Sequence, residues 1–346
     1  MMKIDGLTRV QPVQIEPNRN AATKAPVNVN NQEHVPAFQT KAHDLAFTGA
    51  VIGARLNRQV PAPPPPLQTP NISSTGKGTE TKYKIGDPAR PNIHHDNGFL
   101  QNPKDPKDPK PIATVAPSRA DRIFYAKELA KAQGALAAIG VGADKLPFAP
   151  HELSLRDGIE AYEHFLTGNG SDRTFSYDKF VNDDASGKTI LRNAATDLQK
   201  GVEDIYKQMI ARDPSLKDKP VTFKITGGAI TVGGSNKFPY PETENWQKAI
   251  GGHTIWSSGT VTVKPPTTPG GKPQFSMNMT LHAEDRYNFN PGQADIATGV
   301  PDATRGKLEQ TGLARQYMNY ATLQRNVAWT SGDIKNSTTT VNPNNR

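Results

Sequence analysis

Polar and ionisable side chains are concentrated in one stretch of the chain, the eighteen residues from Asp285 to Asp302. They supply carboxylates, amides and a phenol, which serve acid–base chemistry and the binding of hard cations such as Mg²⁺ or Ca²⁺. The spacing does not match the calcium loop D-x-[DN]-x-[DN]-G, so no dedicated calcium site is predicted. Asn290, Pro291 and Gly292 form a typical turn sequence, so ordinary loop structure is the competing interpretation.

The strand that must position these groups is indicated by alternation. Polar residues alternate with four apolar ones, Phe275, Met277, Met279 and Leu281, as in a strand with one buried face. Continued, this parity directs Asp285 and Tyr287 to the buried side. The intervening residues point the other way: His282, Glu284 and Arg286. Because an isolated buried charge is strongly unfavourable, an inward carboxylate must be paired, hydrogen-bonded or shifted in pKa.

The candidate site residues lie around this carboxylate. The predicted catalytic set is Asp285, Tyr287, Asn288, His282 and Arg286. The predicted substrate-binding set is His253, Trp256, Asn290, Asp295 and Arg315. In this interpretation Asp285 is the base or the ligand of a divalent cation such as Mg²⁺, and Tyr287 orients the substrate.

Other catalytic motifs are excluded. The phrase DDASGKT at residues 183–189 suggests a phosphate-binding loop, but the first Gly of GxxxxGKT would fall at Asn182. An ordinary helix start is therefore predicted there. No GxSxG turn marks a serine nucleophile. The sequence contains no Cys, which excludes disulfides, thiolate metal sites and cysteine nucleophiles.

The first third of the chain differs in composition from the rest. Residues 1–117 hold seventeen of the thirty prolines and four aromatic residues, Phe38, Phe47, Tyr83 and Phe99. Such a segment buries too little apolar surface to offset the entropy lost on ordering. We therefore predict a disordered Pro-rich leader over residues 1–117.

The remaining chain carries helical periodicity first and strand alternation afterwards. Helices are predicted over 118–140, 154–166 and 188–212. Later segments predict strands, with a hairpin at Gly227-Gly228 and a helix over 304–320. This pattern predicts a helical subdomain (118–213), a β-rich domain (214–335) and a disordered tail (336–346). The fold class is α+β with an antiparallel sheet, either open or barrel-like.

Charge and hydropathy restrict the partners. The net charge of +8 permits attraction to nucleic acid, anionic lipid or a bacterial envelope, but no nucleic-acid-binding motif is present, so no nucleic-acid partner is expected. The N-terminus lacks the apolar core of a cleavable signal peptide. The sequence contains no run of eighteen apolar residues, so no transmembrane segment is predicted. Secretion would therefore use another machine.

Two segments carry a resemblance to a known class of proteins. NWQKAIGGHTIWSSGTVTV (residues 245–263) and HAEDRYNFNPGQADIATGVPDATRGKLEQTGLARQYMNY (residues 282–320) resemble the C-terminal domain of bacterial secreted effectors, notably cargo linked to type VI secretion. This resemblance implies a toxin delivered to the periplasm or cytosol of a target cell. It also implies an immunity protein and a secretion apparatus component or chaperone as partners.

A shorter phrase, DRYN at residues 285–288, resembles the D-x-Y-D core of colicin M type toxins. Those toxins hydrolyse the undecaprenyl-pyrophosphoryl link of lipid II in the periplasm with Mg²⁺, so the resemblance implies a hydrolase of a cell-envelope precursor. The sequence departs from the pattern, since Asn288 replaces the second Asp and Ala294 and Asp295 replace a His-Arg pair. Such an activity would have to recruit other groups, among them Asp295 or His253.

Two other functional classes remain open. One is a non-catalytic adaptor or structural protein of a secretion system, which would use the leader for docking and the sheet for binding. The other is a host-directed effector that binds a eukaryotic partner. A carboxylate at residue 285 that only caps a turn, with no cleft beside it, would favour the adaptor.

Overall fold

An eight-stranded sheet is the largest element of the protein, whose computed structural model describes residues 71–341. The strands in chain order are β1 (Tyr83–Ile85), β2 (Arg173–Thr174), β3 (Val221–Gly227), β4 (Ile230–Thr231), β5 (Thr254–Lys264), β6 (Gln274–Tyr287), β7 (Tyr317–Thr330) and β8 (Thr338–Val341). Their spatial order is β1-β3-β5-β6-β7-β2, with β4 beside β5 and β8 beside β7. Among these strands, only β2 and β7 pair in parallel. The sheet is open, so the α+β class is confirmed and the barrel form is not adopted.

Six α-helices accompany the sheet in the described part of the chain. They are α1 (Arg119–Gly140), α2 (Arg156–Thr167), α3 (Tyr177–Asp183), α4 (Ala185–Arg212), α5 (Glu244–Ala249) and α6 (Ala303–Gln310). α1 begins where the sequence predicts, because Ser118 and Asp121 form a reciprocal capping box. α4 begins at Ala185, before the predicted Lys188, and is capped by Asp184, whose carboxylate accepts from the Ser186 backbone N–H. The phrase at 183–189 is therefore a helix start, as predicted.

The main core lies between α4 and one face of the sheet. The four alternating apolar residues of β6 are all almost fully buried in this core, as predicted: Phe275, Met277, Met279 and Leu281. A second, smaller core joins α1, α2 and α6 to the ends of β6 and β7 around Phe165, Leu308 and Tyr317. The second core fixes the end of β6, where Asp285 lies.

The hairpin predicted at Gly227-Gly228 does not form. β3 and β4 both pair antiparallel with β5, β3 through residues up to Thr226 and β4 through Ile230 and Thr231. They therefore lie one after the other along the same neighbour and do not pair with each other. A Gly-Gly pair between two short apolar runs is compatible with a bend as well as with a chain reversal. The chain bends here, because β3 and β4 both pair with the long strand β5 and not with each other.

The helix predicted over 304–320 is only half correct. α6 ends at Gln310, and Gly312 has a φ of 67°, a left-handed conformation that ends helices. From Tyr317 the chain is β7, in which buried and half-buried residues alternate. The apolar residues at 308, 313, 317 and 320 have the spacing of a helical face. The last two belong instead to a strand, because the chain from Tyr317 pairs with β6 over fourteen residues.

Residues 71–101 are folded against the sheet and its helices, contrary to the predicted disorder, whereas residues 102–117 are mostly exposed. β1 pairs with β3, and Tyr83 of β1 is fully buried, donating its hydroxyl to Asp197 at 2.8 Å. The ring lies directly against Gly201 of α4 and Gly227 of β3, where any Cβ would overlap it. One aromatic side chain, packed closely against two glycines, therefore anchors a segment whose composition predicts disorder.

Residues 86–101, which we call the crossing segment, run over the outward face of the sheet towards α6. The segment is tied to β3 by the Gly86 N–H, which donates to the Lys224 carbonyl at 3.0 Å. Its far end meets α6 where the Phe99 ring lies against Gly306. The crossing segment therefore passes the end of β6, close to the predicted site.

The described helices and strands belong to one compact unit. Helices predominate up to residue 212 and strands from residue 221, as predicted, but both contribute to the same main core. The tail predicted as disordered contains β8, which pairs with β7 through Thr338. The predictions for residues 1–70 and 342–346 lie outside the described residues. No helix in the described part of the chain has the length and apolarity to cross a membrane.

Candidate functional site

Two adjoining clefts open at the end of β6. The larger has a volume of about 920 Å³ and the smaller about 490 Å³. Six residues line both clefts: Tyr240, Gly252, Asp285, Arg286, Asn288 and Asn290. The predicted cluster of polar groups therefore lies in a concave site, as binding sites usually do.

Asp285 has the inward orientation that the alternation of β6 predicts. It pairs in register with Asn319 of β7 and follows the parity of Ala283, which is buried in the main core. Within residues 71–341 its carboxylate has no hydrogen bond from another side chain and no ion pair. Burial, followed by the negative charge of Asp96, raises the pKa of Asp285 well above its usual value, although Arg286 opposes this.

Tyr287 is held by aromatic packing in the second core. Its ring stacks on Tyr317 with centroids 5.1 Å apart, and Phe165 lies 5.9 Å away. Burial raises the pKa of Tyr287, so the phenol stays protonated at neutral pH. It lines the larger cleft, where a protonated phenol can donate a hydrogen bond to a substrate.

Arg286 and Asn288 fix the crossing segment beside Asp285. Arg286 donates from Nη1 to the Asn97 side-chain oxygen at 2.5 Å. Asn288 donates from Nδ2 to the Asp96 carboxylate at 3.0 Å. Asp96 lines the smaller cleft together with Asp285. The structure thus brings a second carboxylate to the site from a segment 189 residues away in sequence.

Glu284 is not on a solvent-exposed face, although its parity directs it away from the core. The crossing segment covers it, and Arg90 donates to its two oxygens at 2.8 and 2.5 Å. His95 contacts the same carboxylate at 2.8 Å. Burial alone would raise the pKa of Glu284, but these two partners lower it below its usual value. Glu284 therefore anchors the crossing segment and is engaged on both oxygens.

Further acids line the larger cleft. Lys248 forms an ion pair with Asp295, and Thr298 donates to the same carboxylate. These bonds outweigh burial and lower the pKa of Asp295. Asp302 accepts from the Asn290 backbone N–H at 3.0 Å. Asp295 and Asp302 therefore shape the loop that closes the cleft, which supports the competing interpretation of this stretch for these two residues.

Glu309 is a buried acid behind the same loop. It is 1% exposed, one oxygen accepts from the Phe289 N–H at 3.0 Å, and the other has no partner among the described residues. Burial raises the pKa of Glu309 to about 8, assisted by the charges of Asp96 and Asp302. Glu309 is therefore protonated at neutral pH.

Glu309→Gln is expected to remove part of the pH dependence of folding stability. The native chain keeps this proton when folded and loses it near pH 4.5 when unfolded, so stability falls as pH rises from about 4.5 to about 8. The Gln amide oxygen can keep the bond from Phe289 without titrating. Chemical denaturation should show the variant more stable than the native chain above pH 8 by a few kcal/mol, since one pKa unit is about 1.4 kcal/mol. Parallel pH profiles for the two proteins would contradict the assignment.

Three predicted residues lie away from both clefts. Trp256 and His282 pair in register on the opposite face of the sheet, where their rings stack 3.6 Å apart. Burial lowers the pKa of His282 to about 4. Arg315 is exposed on the segment between α6 and β7 and lines neither cleft. Residue type marked these three as candidates, but strand parity and chain path direct them elsewhere.

His253 borders the smaller cleft but is 4% exposed. It contacts the Tyr177 hydroxyl at 2.9 Å and the Gly251 carbonyl at 3.0 Å. Burial lowers its pKa to about 4, so the ring is neutral at pH 7. Both ring nitrogens have partners, so His253 supports the wall of the cleft and does not present a free base.

The site fits a cation held partly by substrate better than a cation enclosed by protein. Among residues 71–341, no three His, Asp or Glu side chains are grouped as a ready-made metal site. Mg²⁺ is commonly held by one or two carboxylates together with substrate phosphates and water. Asp285, which has no cationic partner, and Asp96 across the smaller cleft match that pattern.

The remaining cleft residues differ in how far local sequence could have predicted them. Asp96 carries no signal, because nothing local links it to β6. Tyr240 lines both clefts but lies in a Pro-rich loop without periodicity. Glu309 directly follows the buried Leu308, and an acid beside a core position is a usable signal of burial. Arg305 also lines the larger cleft, with its guanidinium 5.3 Å from the Tyr162 ring centre.

No protein-family model matches the sequence, and no curated protein sequence matches it. Among solved structures, the chain is similar to the structure of PaeM, a colicin M-like bacteriocin produced by Pseudomonas aeruginosa, with 16% sequence identity and a TM-score of 0.29. The match covers 51% of this chain and 52% of that chain, so it spans about half of either protein. Similarity at this level establishes neither a shared fold nor a shared activity.

Proposed function

We propose that this chain is a secreted antibacterial toxin that hydrolyses a phosphate-linked cell-envelope precursor, such as lipid II, in the Asp285 cleft. The observation that carries the proposal is the inward carboxylate of Asp285, which lines two clefts. Within residues 71–341 it accepts no hydrogen bond from another side chain and forms no ion pair. Its pKa is raised, and carboxyl groups with such shifts are concentrated at functional sites. A residue that only capped a turn would not combine these properties.

In the proposed reaction Asp285 is the general base. Its ionised carboxylate accepts a proton from a water molecule, and the water oxygen bonds to the phosphorus next to the lipid. The bond between that phosphorus and the lipid oxygen breaks, and the lipid leaves as an alcohol after its oxygen takes up the proton that Asp285 accepted from water. A base with a raised pKa is a stronger proton acceptor than an ordinary Asp once it is ionised.

The larger cleft also offers positive charge for phosphate oxygens. Four cationic side chains line it: Lys131, Lys248, Arg286 and Arg305. The first two and Arg305 are paired with acids, whereas Arg286 has no ion pair within residues 71–341. Groups of this kind stabilise the charge that develops on phosphate during hydrolysis. A divalent cation, when bound at Asp285 and Asp96, would supply further positive charge. The protonated Tyr287 lies two residues from the base on the same face of β6 and is placed to orient the substrate.

The test uses the full-length chain in two compartments of a susceptible bacterium. With a periplasmic signal fused to it, the chain should arrest growth, whereas cytosolic expression should be harmless, because the flipped-out precursor faces the periplasm. Purified protein incubated with lipid II should release the lipid alcohol, and a chelator should show whether a divalent cation is needed. Harmless expression in both compartments, with no product in vitro, would exclude the toxin. Co-expression with a neighbouring gene can then identify an immunity protein.

Asp96→Asn should shift the pH profile of the reaction without abolishing it. The negative charge of Asp96 helps to raise the pKa of Asp285, so its loss lowers that pKa. Because Asp285 acts in its ionised form, the acidic limb of the rate profile should move to lower pH. The amide can still accept the bond from Asn288, so the crossing segment keeps its place. An unchanged limb would show that Asp96 does not act on the base.

A further inference from the structure

The outer surface of α1 is apolar, although it faces solvent. Ile123 is 60% exposed, and Val141, just after the helix, is 85% exposed. Between them lie exposed small residues at helical spacing: Ala126, Ala130, Gly134 and Ala137. Steps of three and four residues place the whole series on one face of the helix. α1 thus buries one side in the second core and presents a second apolar stripe outward.

The loop after α1 extends this stripe with two large apolar side chains. Leu146 is 62% exposed and Phe148 is fully exposed. The φ of Phe148 is 66°, an unfavourable conformation for a bulky residue. The Ala149 N–H donates to the Leu146 carbonyl at 3.1 Å, so a turn holds Phe148 outward. An aromatic ring held in water by a strained backbone suggests a surface built for a contact.

Four exposed cations without an ion pair flank the stripe, and one half-buried acid, Asp144, lies in the loop. The exposed cations Arg119, Arg122 and Lys127 of α1 and Lys145 of the loop have no ion pair with any described residue. The two acids of α1 are instead buried and engaged by other groups: Asp121 and Glu128. Because the four unpaired cations outnumber Asp144, the stripe is complementary to an anionic lipid surface and not to a neutral or cationic partner.

We propose that α1 and the loop at 141–150, here called the docking surface, bind the surface of an anionic lipid bilayer. Leu146 and Phe148 enter the acyl boundary, while the flanking cations contact lipid phosphates. The larger cleft lies on the other side of α1, where Ala132 and Ala135 line it. Under the proposed function, which this last point rests on, binding would hold the cleft close to the membrane that contains the lipid part of the substrate.

The test is co-sedimentation of the full-length chain with vesicles of phosphatidylcholine and phosphatidylglycerol, and with vesicles of phosphatidylcholine alone. The native chain should bind the anionic vesicles, with binding weakened by salt. The double variant Leu146→Ser with Phe148→Ser should bind about tenfold more weakly or worse. Val341→Ser, which changes an equally exposed apolar residue on β8, is the matched control and should bind like the native chain.

A second measurement covers the case in which the double variant folds poorly. All three native Trp residues are buried, so Phe148→Trp adds one exposed reporter. Its emission should shift to shorter wavelength with anionic vesicles and be quenched by brominated lipid. No shift and no vesicle binding by the native chain would overturn the proposal, as would a dimer that the double variant converts to monomer. Asp285→Asn should bind vesicles normally, so a failure of the proposed hydrolysis would leave this result intact.

Discussion

Asp285→Asn is expected to abolish growth arrest by periplasmic expression and to slow hydrolysis by about 10²–10⁴-fold. The amide fits the space of the carboxylate but cannot accept a proton from water or hold a cation. Within the described residues the Asp285 carboxylate accepts no hydrogen bond from another side chain and forms no ion pair, and the Asn amide oxygen can keep the bond from the Arg286 backbone N–H. The loss would therefore report on chemistry and not on folding.

The same substitution should stabilise the fold at neutral pH. In the native chain the folded state keeps the Asp285 proton to a higher pH than the unfolded state, because its pKa is raised by burial and by Asp96. Stability contributed by the protonated group is therefore lost as pH rises from about 3.8 through the raised pKa. Asn removes that loss, so denaturation at pH 7 should show a more stable variant, and the difference should vanish in acid.

The control for Asp285 is Asp105→Asn, which removes one exposed carboxylate outside both clefts. It should leave toxicity and stability unchanged. Full toxicity of Asp285→Asn would exclude this residue as base or metal ligand. Loss of toxicity together with a lower stability would show instead that the carboxylate is structural.

Asp184→Ala is expected to cause the largest loss of stability, about 3 kcal/mol. Asp184 is 1% exposed and caps α4 through the Ser186 N–H at 2.9 Å. The same carboxylate accepts from the Thr243 N–H at 2.8 Å and from its hydroxyl at 2.7 Å. Ala would leave several donors buried without a partner. Chemical denaturation of the full-length chain measures the loss.

The loss should also reach the cleft and depend on pH. Thr243 precedes α5, whose Lys248 and Gln247 line the larger cleft. Burial would raise the pKa of Asp184, but the bonds from Ser186 and Thr243 lower it. Its contribution is therefore present above the unfolded pKa and disappears as pH falls through the lower folded value. The native chain and the variant should thus converge in acid.

Asp213→Ala is the matched control, because Asp213 makes the same kind of cap in water. Its carboxylate accepts one bond, from the Ser215 N–H at 3.0 Å, at an exposed position. This substitution should cost less than about 1 kcal/mol. Equal losses for the two variants would show that the bonds from Asp184 to the segment before α5 add nothing.

Local patterns predicted the elements that carry their own periodicity or caps. The alternation in β6 gave both its extent and the inward direction of Asp285, because one face of that strand is continuously apolar. Ser118 marked the start of α1, because capping is a contact within three residues, whereas α4 begins before the predicted Lys188, after the Asp184 cap. Gly227-Gly228 failed as a hairpin, since the choice between a bend and a reversal depends on β5, which is distant in sequence.

The crossing segment could not be predicted from composition. It is held by the buried Tyr83 ring of β1, just before it, and by polar contacts such as those of Arg90 and His95 with Glu284. Composition measures how much apolar surface a segment can bury. It takes no account of cationic or polar side chains that pair with a buried acid distant in sequence. For the same reason Asp96 had no signal as a member of the site.

The path of the crossing segment sets a limit on how this domain can be exchanged between chains during evolution. A recombination boundary at residue 118, where the Pro-rich composition ends, would leave behind the Tyr83 anchor, both partners of Glu284 and one wall of the smaller cleft. A functional cassette transplanted onto another N-terminal region must therefore include the residues from β1 onward, so hybrid chains joined after that point should arise rarely and be unstable.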